Sequence, residues 1–346
     1  MRTAFVIAAH NEADLIADTV GQLAGRGNDV YVIADNCTDA TATLAAEAGA
    51  RVFERRDTAR PGKGPALTWF VHTAAAELAR LDALVVLDAD SRVSGSFVAA
   101  LAACFAHGAR AAQAFVCPVG GHRSPASGLA AYSELLSQLI GDRLRAALGW
   151  TVPLRGTGMA FAPALLAELV GGLRTQVEDI EMSLRLAERG VRVHFMPQAL
   201  VYDPKPPNAS RVSRQRARWL HGQAQVWHSY RRTILRLALT RGPEAWALIW
   251  ALLIKPKTLV MAANLLALLF LALIAFPPAW LHTLLLAGAS LLLAADAVYF
   301  LAGLFLVPER GLYARALLWA PLYLALWLRS LALTRFSRTV WLRARE

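Results

Sequence analysis

The chain has 346 residues, 56% of them hydrophobic, and a formal net charge of +11 at pH 7. This length allows one sizeable catalytic domain and further structure. The arginines cluster beside apolar runs and not among aromatic residues of a soluble sheet, which argues against nucleic acid as a partner and favours anionic lipid and a pyrophosphate.

The composition changes near residue 240. Residues before this point are typical of a soluble α/β domain, whereas apolar residues run almost unbroken from Ala245 onward. The apolar run at 4–9 is short and polar residues follow it, so we expect no signal peptide. Cys37, Cys104 and Cys117 form no C-x-x-C pair, which predicts buried thiols in a reducing cytosol and no zinc site.

Short β-type runs alternate with helical patterns over about the first 120 residues. Five runs are predicted as strands: 3–9, 29–34, 51–54, 83–87 and 111–116. This alternation predicts right-handed βαβ crossovers, and therefore an α/β fold with a mostly parallel sheet and helices on both faces. The carboxyl ends of the strands would then line a ligand crevice.

Polar clusters follow three of these strands and are expected at one edge of the sheet. Glu12 lies in the first cluster, Asp35 in the second, and Asp88 and Asp90 in the third. The hard oxygens of the last two suit Mg²⁺ or Mn²⁺ bridging a pyrophosphate, although a solvated turn with helix-capping acids fits the same triplet. No proton-transfer role is assigned to His10.

Two glycine-containing segments carry further candidates. Lys63, between two glycines, would meet a phosphate at the start of the following helix, and the segment departs from a Walker pattern, which argues against a P-loop ATPase. Gly158 would let an acceptor approach the backbone closely, or it belongs to an ordinary glycine turn.

Asp179 lies at the predicted start of a helix whose apolar positions are Ile180, Leu184 and Leu186. A carboxylate at such a junction can remove a proton from an acceptor hydroxyl. It can equally cap the helix, and the spacing does not decide between the two.

Gln215, Arg218 and Trp219 share one face if their segment is helical. An amide, a guanidinium and an indole can together hold a pyrophosphate and stack a sugar ring. A basic interfacial helix with a tryptophan anchor is the alternative.

Three apolar segments follow. Residues 258–276 carry no formal charge, and 281–307 contain one, Asp296. Each segment is also long enough to span a bilayer. The third, 312–333, is interrupted by arginines and a proline and is expected either to span or to lie in the interface.

Arginines flank this apolar region on both sides, with eight and no acid at 211–241. The C-terminal arginines are Arg335, Arg338, Arg343 and Arg345. The positive-inside rule places both flanks in the cytoplasm, which favours a hairpin of two spans turning outside at Pro277-Pro278, with three spans left open. We therefore expect a multi-pass protein of the cytoplasmic (inner) membrane with its catalytic domain on the cytoplasmic side.

Taken in order, the motifs A-H-N-E, D-N-C-T-D, G-K-G, D-A-D, G-T-G, V-E-D and Q-R-A-R-W resemble those of the family 2 glycosyltransferases. The branch is that of cellulose, chitin and hyaluronan synthases and of ceramide glucosyltransferases. The resemblance covers about residues 3 to 222. It implies a Rossmann-like GT-A fold, a divalent metal (Mg²⁺ or Mn²⁺), and inverting transfer of a sugar from a UDP-activated donor.

On the donor side, the resemblance implies that Asp35 contacts the uridine and that Asp88 contacts the ribose or phosphate. Asp90 would bind the metal, with Asp88 as a second metal candidate. Lys63 and Glu12 are further nucleotide-side candidates.

On the acceptor side, the resemblance implies that Asp179 is the general base. Gln215, Arg218 and Trp219 would form the wall that binds the donor pyrophosphate and the acceptor, with Arg218 on the donor side and Gln215 and Trp219 on the acceptor side. Gly158 is an acceptor candidate from its turn alone.

The expected organisation is a catalytic domain at 1–222, interfacial amphipathic helices at 223–257 and a membrane region at 258–346. The expected function is transfer of a sugar to a lipid-linked or growing saccharide acceptor in polysaccharide or glycolipid biosynthesis. We also consider a homo-oligomer or an accessory membrane protein as a partner. The alternative functions are a metal-dependent nucleotidyltransferase and a non-catalytic membrane scaffold.

Overall fold

The computed structural model describes residues 1–205, 209–254, 257–274 and 278–333. Eight strands lie within these ranges: β1 (Thr3–Ala9), β2 (Asp29–Asp35), β3 (Arg51–Arg55), β4 (Ala83–Leu87), β5 (Arg92–Val93), β6 (Ala111–Val119), β7 (Met159–Phe161) and β8 (Val193–Pro204). They form one sheet in the order β3-β2-β1-β4-β7-β6-β8-β5.

One half of the sheet is entirely parallel. The strands β3, β2, β1 and β4 pair in this direction, and all five strands predicted from the sequence are present. β7 runs antiparallel to both β4 and β6, and the short β5 runs antiparallel to β8. β8 pairs with β6 in the parallel direction. The mostly parallel sheet is therefore confirmed, while β5, β7 and β8 are strands that the sequence patterns did not predict.

Helices connect and cover the strands. Those within the described ranges are α1 (Ala13–Ala24), α2 (Thr41–Glu47), α3 (Lys63–Thr73), α4 (Ala75–Leu78), α5 (Phe97–Ala106), α6 (Pro125–Leu136), α7 (Arg143–Ala147), α8 (Pro163–Val170), α9 (Glu178–Glu188), α10 (Ala209–Thr240), α11 (Gly242–Leu253), α12 (Lys257–Leu273), α13 (Ala279–Gly303), α14 (Arg310–Leu317) and α15 (Ala320–Leu333). A π-helical segment, Ser137–Asp142, joins α6 to α7.

An apolar core lies on each face of the sheet. Successive residues of a strand point to opposite faces, so Leu84 and Val86 of β4 join the core under α3, α8 and α9, whereas Val85 joins the core under α1, α2 and α5. Phe70 of α3 and Phe97 of α5 are fully buried in these two cores. The helices therefore lie on both faces, as the sequence predicts, and leave the strand ends free to form a site.

A single helix, α10, runs through the predicted boundary at residue 222. At Gly222, α10 packs closely against Val177, the residue directly before α9. A Cβ built on Gly222 would lie 2.5 Å from Cγ1 of Val177. Further along, Val226 and Ile234 of α10 share an apolar cluster with Leu248 of α11. The division expected between a catalytic domain and interfacial helices therefore falls inside one continuous, packed helix.

The end of α13 packs against α6. The Tyr132 hydroxyl donates a hydrogen bond to the Phe300 carbonyl, and a Cβ on Gly303 would collide with a leucine side chain of α6. α14 packs on the same helix, because a Cβ on Gly128 would lie 3.1 Å from the Cβ of Ala316. These contacts attach the apolar C-terminal helices to the α/β domain.

One helix within the described residues, Ala279–Gly303, is long and apolar enough to cross a membrane by its length and composition. The apolar stretch Val260–Leu273 of α12 is shorter. The predicted span 281–307 corresponds to α13 and the turn after it, and the predicted span 258–276 corresponds to α12, with residues 275–276 outside the described part. Membrane crossing by this helical pair stays a prediction.

The predicted third apolar segment, 312–333, is not one helix. It divides at residues 318–319 into α14 and α15, and Tyr313 and Trp327 are buried against the rest of the protein. A continuous third span over this segment is therefore replaced by two shorter packed helices. Pro277 of the predicted outer turn and all four C-terminal arginines lie outside the described residues: Arg335, Arg338, Arg343 and Arg345.

Candidate active site

The loops after β1 and β2 are joined to each other at the carboxyl edge of the sheet. The Glu12 backbone N–H donates to Oγ1 of Thr41 at 2.8 Å, and Nδ1 of His10 lies 2.7 Å from the Asp35 carbonyl oxygen. His10 thus contacts backbone at the edge of the site. Glu12 and Asp35 are both buried there.

Asp35 is held by a cation that sequence reasoning missed. Nη1 of Arg55, at the end of β3, donates to Oδ1 of Asp35 at 2.5 Å, and both side chains are buried. The same guanidinium donates from Nη2 to Oδ2 of Asp57 at 2.8 Å. Because a buried carboxylate needs such a partner, Arg55 stabilises Asp35 and fixes its orientation. The uridine contact of Asp35 stays a prediction.

Three other carboxylates interact electrostatically with Asp90, which follows β4. Burial raises the pKa of Asp90 to about 8, and the nearby negative charges of Asp203, Asp88 and Glu12 add to the effect. Asp203 lies at the end of β8, a strand that was not predicted. Within the described residues, no group of three or more histidine, cysteine or acidic side chains is arranged so that it could hold a metal ion. The crowded oxygens nevertheless have the chemistry that Mg²⁺ or Mn²⁺ prefers, and a cation would relieve their repulsion.

A buried lysine holds Asp203 in this cluster. Nζ of Lys205 lies 2.5 Å from Oδ2 of Asp203 and also forms an ion pair with Glu134 of α6. Burial lowers the pKa of Lys205, but these two carboxylates more than offset burial and raise it. The end of β8 is therefore fixed to α6 next to the acids.

Lys63 contacts three separate segments of the chain in the site. Its Nζ donates to Oδ1 of Asp88 at 2.5 Å and to the Gly156 carbonyl oxygen at 2.7 Å, and it lies 3.8 Å from Oε1 of Glu178. Glu178 is buried, and its pKa is raised to about 7 by burial, with Lys63 opposing and Asp179 adding to the shift. Lys63 therefore has several protein partners, and its contact with a donor phosphate stays a prediction.

Asp179 lies at the start of α9, beside a turn with two glycines in left-handed conformations. Gly156 has φ +84° and Gly158 has φ +66°. A Cβ built on Gly156 would lie 3.8 Å from Oδ2 of Asp179, whereas one on Gly158 would lie 2.7 Å from Cγ2 of Val201 in β8. Close packing thus explains Gly158, and its acceptor contact stays a prediction. Gly156 brings Asp179 and the Lys63–Asp88 pair to the same turn.

The residues predicted on one helical face do lie in a helix, α10. Gln215 and Arg218 are half-buried, and Trp219 is 42% exposed. Between them, the buried Arg216 lies with its Cζ 4.4 Å from the ring centroid of Trp327 in α15. α10 borders the start of α9 through its contact with Val177, two residues before Asp179. The roles of Gln215, Arg218 and Trp219 with donor and acceptor stay predictions.

Several solved structures are similar to this chain. A mycobacterial protein has 25% sequence identity over 58% of this chain and 64% of its own, with a TM-score of 0.37. Glucosyl-3-phosphoglycerate synthase from Mycobacterium tuberculosis, in complex with Mn²⁺, UDP and phosphoglyceric acid, has 24% identity over 57% of this chain and 69% of its own, with a TM-score of 0.38. The same enzyme with Mg²⁺ and UDP has 26% identity over 57% and 70%, also with a TM-score of 0.38.

The chain spans slightly less than two thirds of the length of the first of these structures. Likeness of this extent carries no ligand or activity over to the present chain. A comparison with curated proteins gave no match. The sequence model described as "Glycosyltransferase like family 2" matches residues 1–222, and the chain therefore belongs to this family.

Proposed function

We propose that this chain transfers a sugar from a UDP-sugar donor to an acceptor hydroxyl by an inverting single displacement. The observation that carries the proposal is that Lys63 contacts both Asp88 and the Gly156 carbonyl, while Gly156 also lies beside Asp179. Asp88 in turn interacts electrostatically with Asp90. Family membership supports sugar transfer over the alternative of nucleotidyl transfer.

The two sides of the site suit two different tasks. Asp90 and Asp88 would hold Mg²⁺ or Mn²⁺, which when bound neutralises the charge that develops on the leaving diphosphate. Asp179 is half-buried and would accept the proton of the attacking hydroxyl. Its neighbour Glu178 is buried against Lys63 and is less suited to contact an acceptor. The retained acids argue against a non-catalytic scaffold.

We further propose that the protein acts at a membrane on a lipid-linked or growing saccharide acceptor. Leu284 and Leu291 of α13 are largely exposed. The part of α13 before its contact with α6, residues 279–299, is about 30 Å long at about 1.5 Å per residue. That length matches a hydrocarbon core of about 30 Å. Asp296 in this part interacts electrostatically with Lys257 at the start of α12. A cytoplasmic catalytic domain agrees with the eight arginines at 211–241.

The proposal is tested with the full chain in detergent, a panel of labelled UDP-sugars and lipid extracted from the producing cells. We expect UDP release and labelled lipid or saccharide product, both abolished by EDTA and by Asp90→Ala. Release of a nucleoside monophosphate and pyrophosphate would instead show nucleotidyl transfer. A reporter fused after Glu346 tests the topology, since an external signal would contradict an even number of crossings.

A further inference from the structure

The turn formed by residues 155–158, here called the glycine turn, is held by side chains from several elements. Nζ of Lys63 donates to the Gly156 carbonyl, and the Asp88 backbone N–H donates to Oγ1 of Thr157 at 3.2 Å. At its far end, the Ala114 N–H donates to the Gly158 carbonyl at 2.9 Å. The turn is thus bonded to α3, to the end of β4 and to β6.

A buried amide on β6 holds the middle of the glycine turn. Oε1 of Gln113 accepts the Arg155 backbone N–H at 3.0 Å, and its Nε2 donates to the Thr157 carbonyl at 2.9 Å. Gln113 is completely buried. Since both ends of this amide are used by the turn, the side chain acts as a bracket with a fixed orientation.

An ion pair holds the side chain of the first residue of the turn. Nε of Arg155 donates to Oδ2 of Asp142 at 3.0 Å, and Nη2 forms a second contact with the same oxygen. Asp142 is completely buried, and its other oxygen accepts from Nη1 of Arg145 at 3.3 Å. Arg145 also donates to the Ala247 carbonyl of α11 at 2.8 Å. One carboxylate therefore lies between the glycine turn and the helices that follow the α/β domain.

Asp142 is the last residue of the π-helical segment. Gln138 lies four residues before it, and both side chains are completely buried. Oε1 of Gln138 accepts the Val116 N–H at 2.8 Å, and its Nε2 donates to the Val116 carbonyl at 2.7 Å. The segment is thereby fixed to β6, and the position of the Asp142 carboxylate is set by the sheet.

We propose that Asp142 is a positioning residue for sugar transfer: through Arg155 it holds the glycine turn as a preformed wall of the acceptor subsite beside Asp179. This inference rests on the function proposed above. A buried ion pair is weak evidence for stability, because well-packed apolar residues often serve as well. What the guanidinium and carboxylate add is a fixed geometry, and transfer requires the acceptor hydroxyl to be held in line with the donor.

The first test is hydrogen–deuterium exchange of the amides of the glycine turn. We expect Asp142→Asn to speed exchange of peptides covering residues 150–159 about tenfold or more, because a neutral amide holds Arg155 less tightly than the carboxylate does and so weakens one anchor of the turn. Arg145→Gln is the matched control, since it removes a charged partner of the same carboxylate but leaves Arg155 in contact with Asp142. We expect the control to lose thermal stability without faster exchange in the turn. Unchanged exchange in Asp142→Asn, or equal acceleration in both variants, would overturn the proposal.

The second test separates donor from acceptor. With UDP and Mn²⁺ as the probe, we expect Asp142→Asn to keep the wild-type dissociation constant within about twofold while transfer to lipid falls about 10-fold to 100-fold, the range typical of supporting residues. Equal losses in UDP binding and in transfer would contradict a positioning role. If the wild-type protein does not bind UDP, the proposed function fails, whereas the exchange experiment still decides the role of Asp142.

The double variant Asp142→Asn with Arg155→Gln separates a positioning role of Asp142 from a role in folding alone. It removes the charge of Arg155, which Asp142→Asn alone leaves uncompensated next to the turn, so its thermal stability should exceed that of Asp142→Asn alone. Its exchange in the glycine turn should nevertheless stay fast and its transfer slow. Recovery of wild-type transfer together with stability would show that Asp142 contributes only to folding.

Discussion

Lys63 and Asp88 form an ion pair of 2.5 Å between Nζ and Oδ1, in which the lysine side chain is 11% exposed and the aspartate side chain 42%. Burial lowers the pKa of Lys63, but Asp88 and then Glu178 more than offset this and raise it. The lysine therefore stays charged and compensates acids on both sides of the site before any ligand binds.

Replacement of this cation should cost stability. Lys63→Met leaves the buried Glu178 without its compensating charge, so we expect the free energy of unfolding to fall by about 2 kcal/mol in EDTA. Lys63→Arg keeps the charge and should lose less. Urea unfolding measures both values, and Lys63→Met as stable as the wild type would show that the ion pair contributes nothing to folding.

The stability of the metal-free protein should decrease as pH rises. Burial, Asp203 and Asp88 raise the pKa of Asp90 from 3.8 to about 8, so between these values the folded state binds more protons than the unfolded state. The free energy of unfolding therefore falls with increasing pH across this window. Urea unfolding in EDTA at pH 5 and pH 8 measures the slope, which should be shallower in Asp90→Asn. Parallel slopes in the two proteins would rule out Asp90 as the source.

The two acids at the start of α9 should respond differently to loss of charge. Asp179→Asn should reduce transfer at least about 100-fold, because general-base catalysis typically contributes this much or more. UDP affinity in Mn²⁺ should change little. Glu178→Gln keeps the side-chain shape and should retain more activity, because Glu178 is buried against Lys63. Kinetics of UDP release compare the two variants, and a larger loss in Glu178→Gln would reverse their roles.

The two glycines of the turn provide a matched pair. Gly158→Ala places a Cβ 2.7 Å from Val201 and 3.0 Å from the Cβ of Ala114, whereas Gly156→Ala meets its nearest atom at 3.8 Å. Both have positive φ, so backbone strain is common to the pair. We expect Gly158→Ala to cost about 1–3 kcal/mol more, the usual range for overpacking. Denaturant unfolding tests this, and Val201→Ala should recover part of the difference.

Much of the parallel half of the sheet could be predicted because β1, β2 and β4 are largely apolar runs. Residues 83–87 are all buried, and the acids directly after them lie at the strand end as expected. β8 gave no such signal. Its register against β6 shifts after Ala114, and its pattern of burial is irregular. Asp203, at the end of this strand, was missed for that reason.

The partners of the site residues were harder to predict than the residues themselves. Arg55 lies 20 positions from its partner Asp35, and Asp142 lies 13 positions from its partner Arg155. The contact of Lys63 with Asp88 bridges 25 positions, and its contact with Gly156 bridges 93. Sequence patterns report local periodicity, so they identify candidate acids but not the cations that compensate them.

The attachment of α13 and α14 to α6 limits where this chain can be shortened to obtain a soluble fragment. A chain cut after residue 222 would sever α10 and would bare the surface of α6 around Tyr132, which Phe300 now covers. A better route keeps the full chain, with the last turn of α13 and the helices after it in place, and replaces exposed leucines such as Leu284 and Leu291 with polar residues. We expect the shorter fragment to aggregate through its exposed apolar surface, whereas the redesigned full chain should stay in solution.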